Sequence, residues 1–202
     1  MKVKIITVET VEDLRKIRLN KNDNVLIILK NDLDFEDEKF LPINADGANV
    51  ILHGHNHTIS NISLVNTTNY TGIFRKVKNL YVRNIYITDL YIAGKDYVGA
   101  LAGDVEEKID VKNTRISGLV QGEFFVGGVC GSAEKVQLTE SRILDEVHAI
   151  GLSGGVVGYT DEFKQKGTIV TPPVIEDIED CSGYYYGMVR RIGKNNPNEN
   201  KL

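Results

Sequence analysis

The chain has 202 residues, 42% hydrophobic and 26% charged, with a formal net charge of −4. This composition suits one folded domain with a sizeable core, and is neither disordered nor membrane-embedded, since no apolar run approaches the roughly 18–20 residues that cross a bilayer. The mixed, slightly acidic balance argues against a nucleic-acid partner, which calls for a basic face, and two cysteines, Cys130 and Cys181, are too few for a disulfide framework.

Met1–Ile6 carries two lysines but leads into polar Thr7, Glu9 and Thr10, so no secretory signal peptide is expected. Thr10-Val11-Glu12-Asp13 has the form of a capping box, and Val11, Leu14 and Ile17 share a helical face. The spacing predicts a short helix over 10–19 that shields one end of the fold. Val25 to Leu29 is an apolar run suited to a buried strand. Glycine segments then recur: Tyr70-Thr71-Gly72, Tyr97-Val98-Gly99, Phe125-Val126-Gly127 and Leu152-Ser153-Gly154. Their glycines lie at 72, 99, 127 and 154, spacings of 27, 28 and 27. Beyond them, Thr171-Pro172-Pro173 interrupts any regular strand. Tyr184–Val189, with Gly187, is expected to be a degenerate last glycine segment, and 194–202 a disordered tail. The expected organisation is an N-terminal cap and first coils over 1–69, repeats over 70–160, a degenerate coil over 161–193 and the tail, in one folded domain.

Between the glycine segments lies a second pattern. Ile59-Ser60-Asn61-Ile62-Ser63-Leu64, Val82-Arg83-Asn84-Ile85-Tyr86-Ile87, Val111-Lys112-Asn113-Thr114-Arg115-Ile116 and Leu138-Thr139-Glu140-Ser141-Arg142-Ile143 alternate apolar with polar residues, a strand signal. A unit of 27 residues cannot enclose a core alone. Stacked at about 4.8 Å per layer, such units pair each strand with its equivalents above and below. Ile87, Ile116 and Ile143 are then expected in one inward column, Val82, Val111 and Leu138 in another. Asn61, Asn84 and Asn113 are expected to form an amide ladder that Glu140 ends. An antiparallel sandwich would not require recurrence at a fixed period, so the architecture expected is an all-β solenoid.

The glycine segments, above all Val98–Gly103 and Val126–Gly131, resemble the GLUG repeat of bacterial surface proteins, and Leu29–Phe35, Leu41–Ile43 and Leu52–Ile62 extend the resemblance over roughly residues 5–160. The resemblance implies a right-handed parallel β-helix with a short N-terminal capping helix. It also implies a setting in adhesins, large cell-surface proteins or non-catalytic regions of secreted peptidases. The lack of a recognisable export signal leaves room for a virion component.

Candidate chemistry is thin. Gly151-Leu152-Ser153-Gly154-Gly155 matches G-x-S-x-G, but no helix signal follows it, and Ser153 holds the repeat position of Val98 and Val126. His53, His55 and His57 alternate as metal ligands on a strand would, yet Gly54 and Asn56 favour a turn and no fourth ligand is evident. Asp32, Asp34 and Glu36 read as a solvated strand face. Asp104, Glu106, Glu107 and Asp110 invite comparison with the paired carboxylates of β-helix polysaccharide enzymes, but no equivalents stand on neighbouring coils. Asn56, Asn61, Asn66 and Asn69 begin N-x-[ST] sequons, and Cys130 aligns with Ala102 as a small core residue.

The expected binding set is Tyr81, Arg83, Tyr86, Tyr91 and Tyr97, aromatic and cationic groups able to stack on sugars or anchor a protein. The functional expectation is therefore a non-enzymatic interaction or structural protein with a protein or glycan ligand. It needs no cofactor or metal, has no catalytic residues, and could sit at a cell surface or on a virion, with a homo-oligomer compatible. The alternatives are a polysaccharide-active β-helix hydrolase or lyase, and a protein that sequesters a small molecule.

Overall fold

A computed structural model of the chain describes residues 2–36 and 39–171, and beyond them residues 174–175, 182–183 and 186–191. In chain order the elements are β1 (Lys4–Val8), α1 (Val11–Arg15), β2 (Asn24–Leu29), β3 (Leu33–Asp34), β4 (Ile43–His53), β5 (Thr58–Ser60), β6 (Ser63–Val65), β7 (Phe74–Ala93), β8 (Asp96–Gly99) and β9 (Ala102–Gly122). There follow β10 (Phe124–Gly127), β11 (Cys130–Thr139), β12 (Arg142–Ile143), β13 (Glu146–Ala149), β14 (Ser153–Gly154), β15 (Val157–Lys166), β16 (Ile169–Val170), β17 (Val174–Ile175), β18 (Ser182–Gly183) and β19 (Tyr186–Arg191).

The strands wind as a parallel β-solenoid. β1, β2, β4, β7, β9, β11, β15 and β19 are successive neighbours in one sheet, and β8, β10, β14 and β18 form a second. β7 and β9 are long because they run round corners. At those corners Asn84, Asp89 and Asn113 take the left-handed conformation, which Asn and Asp tolerate better than most residues.

Register puts like upon like. Val25, Val50, Leu80, Ile109, Val136 and Phe163 follow one another in an inward column. Leu33, Ile59, Ile87, Ile116, Ile143 and Val170 form a second. Ile27, Leu52, Val82, Val111 and Leu138 form a third, which ends at exposed Gln165. Every apolar member of the three is buried, and each is worth roughly 1.5–3 kcal/mol in removed apolar surface.

The repeated glycines also stack: Gly99, Gly127, Gly154 and Gly183 are direct neighbours. The last member is thus Gly183 and not the expected Gly187, which lies in β19. A β-carbon on Gly127 would come within 2.4 Å of the Cys130 carbonyl oxygen and 2.5 Å of Val157 Cα. The chain doubles back so tightly that no side chain fits there.

At the N-terminus the Thr10 hydroxyl accepts from the Asp13 N–H, and the Asp13 carboxylate accepts from Thr10 in return. The helix stops at Arg15, sooner than expected, but Leu14 and Ile17 still reach the core. The predicted tail over 194–202 and the Pro172-Pro173 break lie outside the described residues.

Several buried positions are polar, and one of them holds a carboxylate without a partner. Pairing of Leu90 with Gly118, and of the flanking residues, places Ile62, Leu90, Gly118 and Asp145 in succession. Asp145 is 1% exposed, and both its carboxylate oxygens lack a hydrogen-bond partner. Burial alone pushes its carboxyl well above the ordinary value.

Gly127→Ala should cost about 1–3 kcal/mol, read as a lower urea midpoint, because backbone rather than flexible side chain must yield. For Asp145 the folded-state pKa lies above the unfolded one, so its contribution is complete in acid, below the ordinary 3.8, and is lost as pH rises towards the folded value. Asp145→Leu should therefore stabilise the fold by about 1–3 kcal/mol near pH 7 and by less near pH 4. Equal gains at both pH values would contradict a buried, ionisable origin.

Candidate functional site

The outward side chains follow the same columns as the core, so the surface is a set of parallel rows. On the first side of the coil Tyr81 is half-buried, with the Arg83 guanidinium 5.8 Å and the Lys108 ammonium 5.9 Å from its ring. Asp110, on the next rung, lies 2.9 Å from both cations, and Arg83 also donates to the Asp110 carbonyl oxygen at 2.6 Å. Tyr81 and Arg83 are thus brought together in a braced network.

The other three expected residues lie elsewhere on the coil. Tyr86 follows the Asn84 corner and is 42% exposed. Tyr91 follows the Asp89 corner, is exposed, and its hydroxyl accepts from the Gln121 amide at 3.0 Å. Tyr97 stands at the turn before the glycines, stacked between Tyr70 (4.9 Å) and Phe125 (4.7 Å). All three aromatics there have positive φ, an uncommon state for bulky residues. Their rings shield one another, Lys76 covers the Tyr70 face at 4.5 Å, and burial raises the Tyr97 phenol above its ordinary range. The five residues form no single patch.

The carboxylates over 104–110 do not converge. Asp104 faces Lys76 and accepts from the Ser132 hydroxyl; Glu107 faces Lys78 and accepts from the Asn79 amide, which holds it below the usual carboxylate range; Asp110 faces Arg83 and Lys108. Each of these three has its own partner, and Glu106 beside them is exposed. The three histidines likewise do not share one face, because His55 and Asn56 turn with positive φ: the His53 and His55 rings pack edge-on at 4.2 Å, His53 also meets Asn84 at 3.2 Å, and His57 reaches Asp32 at 3.1 Å. Among the described residues no three His, Cys, Asp or Glu stand where they could hold a metal. Asp34 accepts from the Asn61 amide and the Glu36 N–H, so the acidic strand face is a hydrogen-bonded turn. Ser153 lies inward in the column of Val98 and Val126, fully buried, and Cys130 is buried with its thiol pushed up by desolvation.

The amide ladder exists in part. The Asn113 amide donates to Asn84 at 3.1 Å, with Glu140 next in the column. Asn61 belongs one corner further on, bonded to Asp34, because Ile59 pairs with Ile87 and not with Val82. A second ladder runs from Asn24 through Asn49 and Asn79 to Glu107.

Beside the Asn84–Asn113 corner lies a groove of about 420 Å³. One wall is the column Asn84, Asn113, Glu140; the other is Tyr86, Arg115, Arg142, in register one rung apart. Between them inward Thr114 forms the floor, its hydroxyl bonded to the backbone carbonyl two residues back, as is that of Ser141 beside it in the column. The repetition of arginine at 115 and 142, 27 residues apart, was the sequence signal for this wall.

No family model matches the chain. A curated immunoglobulin A1 protease of Streptococcus pneumoniae is 29% identical over 130 residues, 59% of this chain but only 6% of that protein. A crystal structure from Bacteroides ovatus, provisionally described as an immunoglobulin A1 protease, has a TM-score of 0.45 and 14% identity over 91% of this chain and 83% of its own. The expectation that the protein is not an enzyme is corrected here, since the curated relative is a protease. The chain thus spans only a small part of the length of the curated relative it matches.

The ladder yields a test of the corner. Asn113→Ala should destabilise by about 1–2 kcal/mol, losing both the amide bond and a residue tolerant of positive φ. Asn113→Gly keeps the backbone conformation and should cost less. Equal thermal midpoints for the two variants would show that the left-handed corner imposes no strain.

Proposed function

We propose that this chain is a recognition region: a β-solenoid whose outward rows hold a protein or glycan ligand, in a protein with the protease character of its curated relative. The observation that carries this reading is the contrast between inside and outside. The core columns repeat nearly the same apolar residue from rung to rung, while the rows outside them present exposed Tyr86 and Tyr91, the Tyr81–Arg83–Asp110 network and the arginine-walled groove. Exposed aromatics and arginines are the groups that anchor partners most effectively. The resemblance of the glycine segments to GLUG repeats supports the same reading, because such repeats occur in surface proteins and in parts of secreted peptidases. The curated relative's name makes immunoglobulin A1 the first ligand to try, with glycans as the second.

The test is retention of the chain on immobilised immunoglobulin A1 and on a glycan array. The expected result is saturable binding to one of them, weakened on the order of tenfold when Tyr81, Tyr86 and Tyr91 are all replaced by alanine, with the thermal midpoint little changed. No retention on either surface, or full retention by the triple variant, would overturn the tyrosine-bearing surface as the ligand site.

A further inference from the structure

We infer that the groove between the Asn84–Asn113 ladder and the Tyr86–Arg115–Arg142 row binds a saccharide that carries carboxylate groups, such as a uronic-acid chain; this rests on the recognition role proposed above. The argument begins with charge. Arg115 and Arg142 are direct neighbours in a parallel register, both exposed, and neither has a hydrogen-bond or ion-pair partner among the described residues. Like charges set side by side across a strand pair oppose folding. Elsewhere on this surface the cations meet carboxylates across the rungs: Lys76 with Asp104, Lys78 with Glu107, Arg83 with Asp110. Glu140, in the facing wall, forms no ion pair with either arginine, although it lines the same groove. Two guanidinium groups one rung apart, with planar donors directed outward, suit carboxylates presented at a regular interval.

The rest of the groove selects the kind of anion. Tyr86 continues the arginine row and offers an exposed ring to a flat, hydroxyl-bearing face. The Asn113 amide donates one hydrogen to the Asn84 oxygen and the Asn84 amide meets His53 Nε2, which leaves further amide donors and acceptors of the type that hydroxyls pair with. An acidic peptide fits less well. Extended peptides gain most of their hold by adding to an open strand edge, and the strands at this groove are interior rungs whose backbone groups are engaged on both sides. The groove therefore offers side chains alone, arranged along the solenoid axis, to a chain that lies across the rungs.

The experiment uses the full chain with three probes in calorimetry at low salt: tetragalacturonate, its fully methyl-esterified form, and tetraglutamate. Tetragalacturonate should bind, on the order of tenfold more tightly than either of the other two. Arg115→Gln with Arg142→Gln should remove at least that tenfold, Tyr86→Ala should weaken it several-fold, and Arg115→Lys with Arg142→Lys should restore part of the loss. Because all three side chains are exposed, and neutralising the arginine pair relieves repulsion, thermal midpoints that do not fall are expected and serve as the folding control. Equal binding of the methyl ester would overturn the role of charge, and tighter binding of tetraglutamate would assign the groove to an acidic peptide. Either result would leave the recognition role standing. Absence of binding by all three probes would overturn the acidic-saccharide site, whereas the recognition role is judged by immunoglobulin A1 and the array.

Discussion

Parallel pairing in unbroken register is the constraint on which the rest of this molecule depends. Each interior rung gives its backbone groups to the coil above and the coil below, so a residue's neighbours are fixed by its position in the coil. An inward position must suit its counterparts on both sides, and the cheapest solution is the same residue type repeated. That is why Ile87, Ile116 and Ile143 lie one upon another, and why the glycines at 99, 127 and 154 coincide where one stretch of backbone presses on the next. The exterior is released from this demand. Its side chains meet water on one side, and neighbouring rungs impose only that charges and shapes be compatible.

The parts of the fold legible in the sequence were those that this constraint makes periodic. Glycine spacing gave the coil length, and alternation identified the inward residues at Val82, Val111 and Leu138. The errors have one cause. A coil has several corners, and more than one uses Asn or Asp in the left-handed conformation, so Ile59-Ser60-Asn61 resembles Val82-Arg83-Asn84 although it occupies the next side. Their separation of 23 residues is too short for a full coil; the step from Asn84 to Asn113 is 29. Local pattern names a corner, and only the count along the chain says which one. The same holds for Gly183 and Gly187 beyond the last proline pair.

The candidate site was less legible for a different reason. Tyrosines stand out by composition, but whether they share a face depends on where the corners fall, and Tyr81, Tyr86, Tyr91 and Tyr97 prove to lie on successive sides. Tyr97 went further, into a stack with Tyr70 and Phe125 that braces the turn ahead of the glycines. Arg115 and Arg142 were visible as repeated residues, yet repetition on the outside carries no packing meaning. Their significance rests on the lack of a countercharge among the described residues, which is a property of three-dimensional neighbours. The relative that turned the functional reading towards a protease aligns with only part of this chain, and the repeat led to secreted peptidases only through its resemblance to GLUG segments.

A column architecture also dictates how such a chain can change in length. Gaining or losing one residue within a strand would reverse which side chains point inward from there to the next corner, and each displaced polar group would enter the core. Gaining or losing a whole coil of 27 or 28 residues leaves every column intact, merely longer or shorter by one member. Variation among descendants of this design should therefore come as duplicated or deleted turns, with single-residue changes confined to the corners. A ligand row on the outside would lengthen in the same steps, so reach along a polymer could evolve without remodelling any individual contact.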